Sequence, residues 1–309
     1  MLFKKQPAVL NLDTKNLYMK YHHIIIFFIL FYSSCTVKRS IDYAAFSSTH
    51  TNANTNLRFS DDTIQNIYNS DNIIYKPKRQ FIYTYKYINK IGEKFIIEHY
   101  SDTVSKIFLG RLIPMTKQKD KETAIDRIGL YVFYGKGDTK TALHSNTLIK
   151  YDYFNFYKKQ TFSREITAVS EDTTYIFLHP FRNLTFTLNY LYVYPIINFP
   201  IQVGEERKSK LDIFDNTAED IKPYYNKGNT IPVFLNHYSK ITGIENVKLP
   251  FKKLKCYKIE TIANDETTDY EGKMDYYFNE EYGFVKFVYY DTIDDCDLII
   301  ELEQVIDYE

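Results

Sequence analysis

The sequence predicts an all-β protein: a curved antiparallel sheet or sheets of the meander or half-barrel kind, behind a disordered N-terminal tether. Three observations carry this. Apolar and polar residues alternate with period two over many short runs, turn residues separate those runs, and no segment shows helix-length periodicity.

The chain starts with material outside any fold. Residues 1–18, with Pro7 and Asp13, read as an overlong n-region or a mis-assigned start, and Met19 would make a conventional one. Residues 19–34 read as a signal peptide. Ile24 to Tyr32 is an unbroken apolar run, far short of the roughly twenty residues that span a bilayer as a helix. It has the length of a secretory h-region, with Lys20 in front and Ser33-Ser34 behind. Cys35 follows. This resembles the bacterial lipoprotein signal, with Tyr32 where that family usually carries an aliphatic residue. The resemblance implies cleavage before Cys35 and a diacylglycerol thioether on its thiol, with enough acyl chain for stable anchoring. A plain secretory signal with a chance cysteine is the alternative. No Asp follows Cys35, unlike lipoproteins retained in the inner membrane. No acidic cluster follows either, unlike surface-displayed lipoproteins of the Bacteroidetes. The resemblance therefore implies an outer-membrane lipoprotein facing the periplasm of the cell envelope.

Composition excludes some functions. With 39 Lys+Arg against 39 Asp+Glu the net charge is +0, which argues against a nucleic-acid partner. Without residues 1–34 the chain holds 35 basic and 38 acidic residues, still too balanced to steer a charged partner over long range. The 30 Tyr and 23 Phe read either as codon bias or as an aromatic β surface.

Residues 35–72 read as lipidated cysteine and flexible tether, because Ser47 to Asn56 offers too little apolar surface to offset ordering entropy. A short helix at about 60–69 is possible, capped by Ser60-Asp61-Asp62. The β domain covers 73–309. Phe81, Tyr83, Tyr85 and Tyr87 share one strand face, with Thr84 and Lys86 on the other. Further strands are expected at 94–100, 106–113, 128–134, 147–157, 162–169 and 173–178. Leu184, Phe186, Leu188, Tyr190 and Tyr192 alternate with Thr185, Thr187 and Asn189 and are read as another. Gly135-Lys136-Gly137-Asp138 is a hairpin tip, since a phosphate loop needs wider Gly-to-Lys spacing and a following helix. Pro195, Pro200, Pro223 and Gly228-Asn229 break the pattern near 195–230, between two sheets or two halves of one.

The last eighty residues read as a meander with strands at 238–247, 254–260, 274–278, 284–290 and 298–305. Within it, Glu245-Asn246-Val247-Lys248-Leu249-Pro250, then Lys255 to Glu260, then Tyr276 to Lys286 resemble a pattern in uncharacterised, Bacteroidetes-like lipoproteins and periplasmic proteins. These carry a curved half-barrel antiparallel sheet. Phe199 to Gly204 resembles the segment that precedes this module in them. The resemblance implies architecture, similar to lipoprotein carriers, and no activity.

Candidate chemistry is sparse. His22, His23, His50, His99, His144, His179 and His237 show no metal-ligand spacing. Asp291, Asp294, Asp295 and Asp297 lack the spacing and glycine of a calcium loop and read as a solvated turn. Glu205-Glu206 and Glu280-Glu281 are adjacent and point to opposite strand faces, a poor glycosidase couple. Cys256 and Cys296 would bridge only if the sheet curls strongly; two separate thiols are the alternative. No cofactor, metal or catalytic residue is assigned, and no enzyme is expected. The expected function is binding of an apolar ligand or lipid in the envelope. The alternatives are a structural or assembly role through a partner protein, and an envelope hydrolase without a recognisable motif.

Overall fold

The computed structural model describes residues 72–308 apart from 102–107, 117–121, 137–145, 214–220, 223–224, 226–230 and 233. Cys35, the signal peptide, His22, His23, His50, His144 and the expected helix at 60–69 lie outside the described residues. The strands belong to one compact unit, Asp62–Glu309. They are β1 (Arg79–Ile88), β2 (Lys94–Ser101), β3 (Phe108–Pro114), β4 (Ala124–Ile125), β5 (Arg127–Lys136), β6 (Asn146–Asn155), β7 (Gln160–Glu171) and β8 (Tyr175–Leu178). Then come β9 (Ile196–Asn198), β10 (Glu206–Asp212), β11 (Phe234–Lys248), β12 (Lys253–Asp265), β13 (Tyr270–Asn279), β14 (Gly283–Tyr289) and β15 (Asp297–Asp307).

All belong to one antiparallel sheet in the order β10-β11-β12-β13-β14-β15-β1-β5-β6-β7-β8-β9, with β2 pairing β1, β3 and β4 at the side. The first strand sits in the middle. β1 pairs β15 from Arg79↔Asp307 to Ile88↔Asp297 and pairs β5 from Gln80↔Tyr131 to Thr84↔Arg127. Two meanders, β5–β9 and β10–β15, therefore run outward in opposite directions. Their outermost strands, β9 and β10, are consecutive in sequence yet do not pair. The sequence break near 195–230 is thus not a boundary between two sheets. It is where the chain passes from one end of a single curled sheet to the other.

Alternation puts one side chain of every two on the inner face. On β1 that row is Phe81, Tyr83, Tyr85 and Tyr87, all buried, as the period-two pattern predicts. These tyrosines are core rather than an aromatic surface, and most buried phenol groups find partners, Tyr289 Oη being an exception among the described residues. Tyr83 Oη donates to the Phe284 carbonyl (3.0 Å), Tyr85 Oη to that of Ile125 (2.7 Å) and Tyr270 Oη to that of Leu191 (3.0 Å). The chain enters the sheet at a clasp. The buried Glu171 carboxylate accepts the backbone N–H groups of Ile73, Ile74 and Tyr75 at 2.8, 2.8 and 2.7 Å.

One expected strand is not a strand. Leu184–Leu191 forms 3₁₀ turns that fill the inside of the curl, with seven of its eight residues buried. Its polar residues mimic a wet face but make their hydrogen bonds internally, with Asn189 Oδ1 left without a partner among the described residues. Asn189 Nδ2 donates to the Phe181 carbonyl (3.0 Å), Thr187 Oγ1 to that of Arg182 (3.2 Å), and Thr185 Oγ1 meets Tyr87 Oη at 3.0 Å. Phe186 in this plug lies 5.0 Å from the Tyr85 ring and 5.4 Å from that of Tyr153.

The outward face carries charge. Glu301 takes Lys86 at 3.2 Å and Lys286 at 2.9 Å, Lys258 reaches Asp275 at 3.2 Å, and Arg127 Nη2 reaches Glu303 at 2.9 Å. A wall facing lipid would carry an apolar band instead. Among the described residues no helix is long and apolar enough to cross a membrane.

Candidate functional site

The inward face changes character at the open end. β10 pairs β11 with Arg207↔Ser239, Ser209↔His237 and Leu211↔Leu235. Directly opposed residues share a face. His237, Ser239 and Leu235 are buried, so Arg207, Ser209 and Leu211 face inward as well. Yet Arg207 and Ser209 are exposed. An inward residue that meets water marks the place where nothing covers the inner face. The facing wall is β8–β9, with Tyr175, Phe177, Ile196 and Asn198 half-buried.

Between the two walls lies a cleft of about 600 Å³ bordered by Tyr175, Phe177, Ile196, Asn198 and Arg207. A smaller hollow of about 130 Å³ continues from it, bordered by Phe177, Tyr194, Ile196, Arg207, Ser209 and His237. Phe177, Ile196 and Arg207 border both. The seam is pinned at two points. Asn198 Nδ2 donates to Glu205 (2.8 Å) across the gap. Tyr276 Oη, reaching over from β13, accepts the Ile196 N–H (3.3 Å) and donates to the Ile196 carbonyl (2.8 Å).

Glu205 and Glu206 diverge, as adjacent strand residues must. Glu206 pairs with Lys240 at 2.8 Å, and that contact holds its carboxyl below the ordinary range. Behind the smaller hollow, the Tyr194 ring stands between two imidazoles, 5.6 Å from His179 and 6.2 Å from His237. Burial pushes His237 down to about 4. Burial, aided by the Arg182 charge, pushes His179 down to about 3. Both are neutral at pH 7. His179 Nε2 lies 3.4 Å from an Arg182 nitrogen. A guanidinium can only donate, so Nε2 accepts and the ring proton sits on Nδ1. That Nδ1 and His237 Nε2 are buried without a hydrogen-bond partner among the described residues. Arg182 is itself clamped by Glu165 and lies over the Tyr190 ring at 5.3 Å.

The remaining sequence candidates are scattered. His99 sits on β2 beside Phe162, its ring lowered by burial. Cys256 on β12 and Cys296 before β15 are both free and buried, with β13 and β14 between their strands, so the bridge does not form. Burial pushes the Cys256 thiol up to about 12, far from reactive. Asp291, Asp294 and Asp295 form a turn with positive φ, and Asp297 accepts the Asp291 N–H at 3.1 Å. Arg207 and Ser209 were not singled out by the sequence. Their strand, Glu206–Asp212, is polar on both faces and shows no alternation to find.

No family model matches the chain, and no curated protein matches it. Among solved structures it is similar to a candidate exported protein with a YmcC-like fold from Bacteroides fragilis, at 8% identity and TM-score 0.40, covering 76% of this chain and 98% of that one. It is also similar to a candidate lipoprotein from Parabacteroides distasonis, at 10% identity and TM-score 0.39, covering 77% and 100%. A third likeness is to a β-barrel-like domain of unknown function from Brucella abortus, at 7% identity and TM-score 0.31, covering 75% and 98%.

Proposed function

We propose that the protein is a non-catalytic binding protein of the bacterial cell envelope. It is tethered through lipidated Cys35 to the periplasmic face of the outer membrane, and takes its ligand in the cleft at the open end of the sheet. One observation carries the reading. The interior is filled by aromatic side chains and the plug, whereas on β10 the inward Arg207 and Ser209 are exposed, and the half-buried Tyr175, Phe177, Ile196 and Asn198, on the face of β8–β9 opposite the buried Ile176, Leu178 and Ile197, border a cleft of about 600 Å³ with Arg207. A cleft of that size with an aromatic floor and a few polar groups suits a small ligand. The binding place is therefore the edge of the curl, not its concave centre.

Two alternatives are weaker. A partner strand added at β9 would need free backbone groups there, and Tyr276 Oη occupies both the N–H and the carbonyl of Ile196. A hydrolase would need a base oriented toward a nucleophile. Ser209 opposes His237 in register, but among the described residues no hydrogen bond joins them and no carboxylate orients the imidazole. Native mass spectrometry of the protein purified from an envelope-containing lysate tests the reading. A co-purifying mass of lipid size, lost when Phe177→Ala and Ile196→Ala are combined, is expected. A clean apo mass from a folded protein under gentle conditions overturns it.

A further inference from the structure

We infer that the ligand of this cleft is an anionic amphiphile: an alkyl chain carrying a carboxylate or phosphate group, with the charged oxygens held by Arg207. The inference rests on the binding-protein reading above and goes further by naming the chemistry of what is bound.

The unused donors along the cleft point this way. Three ionisable side chains border it consecutively, Glu205, Glu206 and Arg207. Glu206 is neutralised by Lys240 at 2.8 Å, and Glu205 keeps its charge but is held by the neutral Asn198 amide at 2.8 Å rather than by Arg207. Among the described residues the Arg207 side chain makes no ion pair or hydrogen bond. Arg207 is thus the cation bordering the cleft whose donors are unspent among the described residues. It is a guanidinium, whose planar fork matches a carboxylate or phosphate. The other two residues common to both hollows, Phe177 and Ile196, are apolar. An apolar floor beside a free cation is complementary to a chain with an anionic end. One further feature fits the head group: Ser209 and Ser239 supply hydroxyl groups on the same inward face. Elsewhere the inner face is mostly buried and apolar, with a few polar residues such as Glu171 and Thr261 that are buried and hydrogen-bonded. A polar inward row in such a sheet departs from the pattern that folding alone asks for, and departures of this kind concentrate at functional sites.

The test is calorimetric titration of the purified full chain at 150 mM salt with decanoate, decyl phosphate, 1-decanol and inorganic phosphate. The same titrations are run on Arg207→Gln and on Lys208→Gln, which removes an equal charge from the opposite face of the same strand. Decanoate or decyl phosphate should bind at least about tenfold more tightly than 1-decanol, since an ion-paired hydrogen bond contributes about that much. Arg207→Gln should abolish the preference, and Lys208→Gln should change it less than about twofold. Which of the two anions is favoured separates a fatty acid from a phosphate monoester. If 1-decanol binds as tightly as decanoate and Arg207→Gln changes nothing, the anionic assignment is overturned while the binding-protein reading stands. If inorganic phosphate binds as tightly as decyl phosphate, the site takes a free anion and the amphiphile is overturned. If none of the four binds to folded protein, both readings fall.

Discussion

Around β1 the inner face reads Phe81, Tyr83, Tyr85, Tyr87, covered by the plug; along β10 it reads Arg207 and Ser209, both exposed, then Leu211, half-buried. The same sheet supplies both rows, with the same pleat and the same antiparallel pairing. What differs is whether a second layer lies on top. The wall around β1 has one, because Phe181 to Val193 folds back into the curl. The wall at β10 faces β9 across a cleft. The contrast separates two tasks. Burial of large aromatic side chains stabilises the fold; the uncovered polar row contributes little stability and is free to recognise something. Each half of the contrast can be broken by substitution.

The largest effect belongs to the closed region. Phe186 is fully buried among Tyr85, Tyr87 and Tyr153. Phe186→Ala removes its contacts and leaves a cavity, at a cost of about 3–5 kcal/mol. Leu211 at the open end is only half-buried, and Leu211→Ala should cost about 1 kcal/mol. Urea denaturation of both variants, with unchanged m values, checks the pair. Equal losses would mean that the open end is as well packed as the centre, and the contrast would be gone.

Next in size is the bond between wall and plug. Glu165 on β7 holds Arg182 at the start of the plug and accepts from Tyr153 Oη at 3.3 Å and the Arg182 N–H at 3.2 Å. Both side chains are largely buried, so removing one charge strands the other. Glu165→Gln should cost about 3 kcal/mol. It should also speed hydrogen exchange of the amides of Leu184–Leu191 before those of β1. A loss below about 1 kcal/mol with exchange unchanged would show that the plug is held by its aromatic contacts alone.

How much of this could be read from the sequence follows the same division. The strands whose one face is dry, such as β1 and those of the C-terminal meander, announce themselves by alternation, and the structure places them within a few residues of expectation. The plug deceives because Thr185, Thr187 and Asn189 alternate with Leu and Phe like a strand. Its hydroxyls and the Asn189 amide nitrogen bond to carbonyls and to Tyr87, a tertiary arrangement that periodicity cannot see. The open end is illegible for a different reason. β9 has three residues, and β10 reads Glu-Arg-Lys-Ser-Lys-Leu-Asp with no dry face. That these two strands end the sheet and face each other is a fact of topology, set by β1 pairing with β15 some two hundred residues away. Of the histidines, His179 and His237 stand 58 positions apart in the sequence, and only the curl brings both to Tyr194.

The effect that is smallest at neutral pH, and grows only on acidification, concerns that pair. His237 keeps 7% of its surface, and burial lowers it to about 4, against about 6.5 in an unfolded chain. Between those two values the unfolded state binds a proton that the folded state refuses, so stability rises with pH. The contribution is intact above pH 6.5 and is lost as pH falls toward 4. His179, lowered to about 3, acts in the same sense over a window that extends further down. His237→Leu removes one of the two sources. It should flatten the slope of stability between pH 4 and 6.5 by up to about 3 kcal/mol over the window, and leave stability at pH 8 equal or slightly higher, because a buried nitrogen without a partner is gone. Denaturation midpoints of the two proteins across that range decide it. Parallel curves would mean that water reaches His237 through the open end well enough to solvate its charge. The cleft would then extend deeper behind β10 than the covered position of His237 indicates, and the boundary between packed wall and open wall would have to be moved from β11 toward β12.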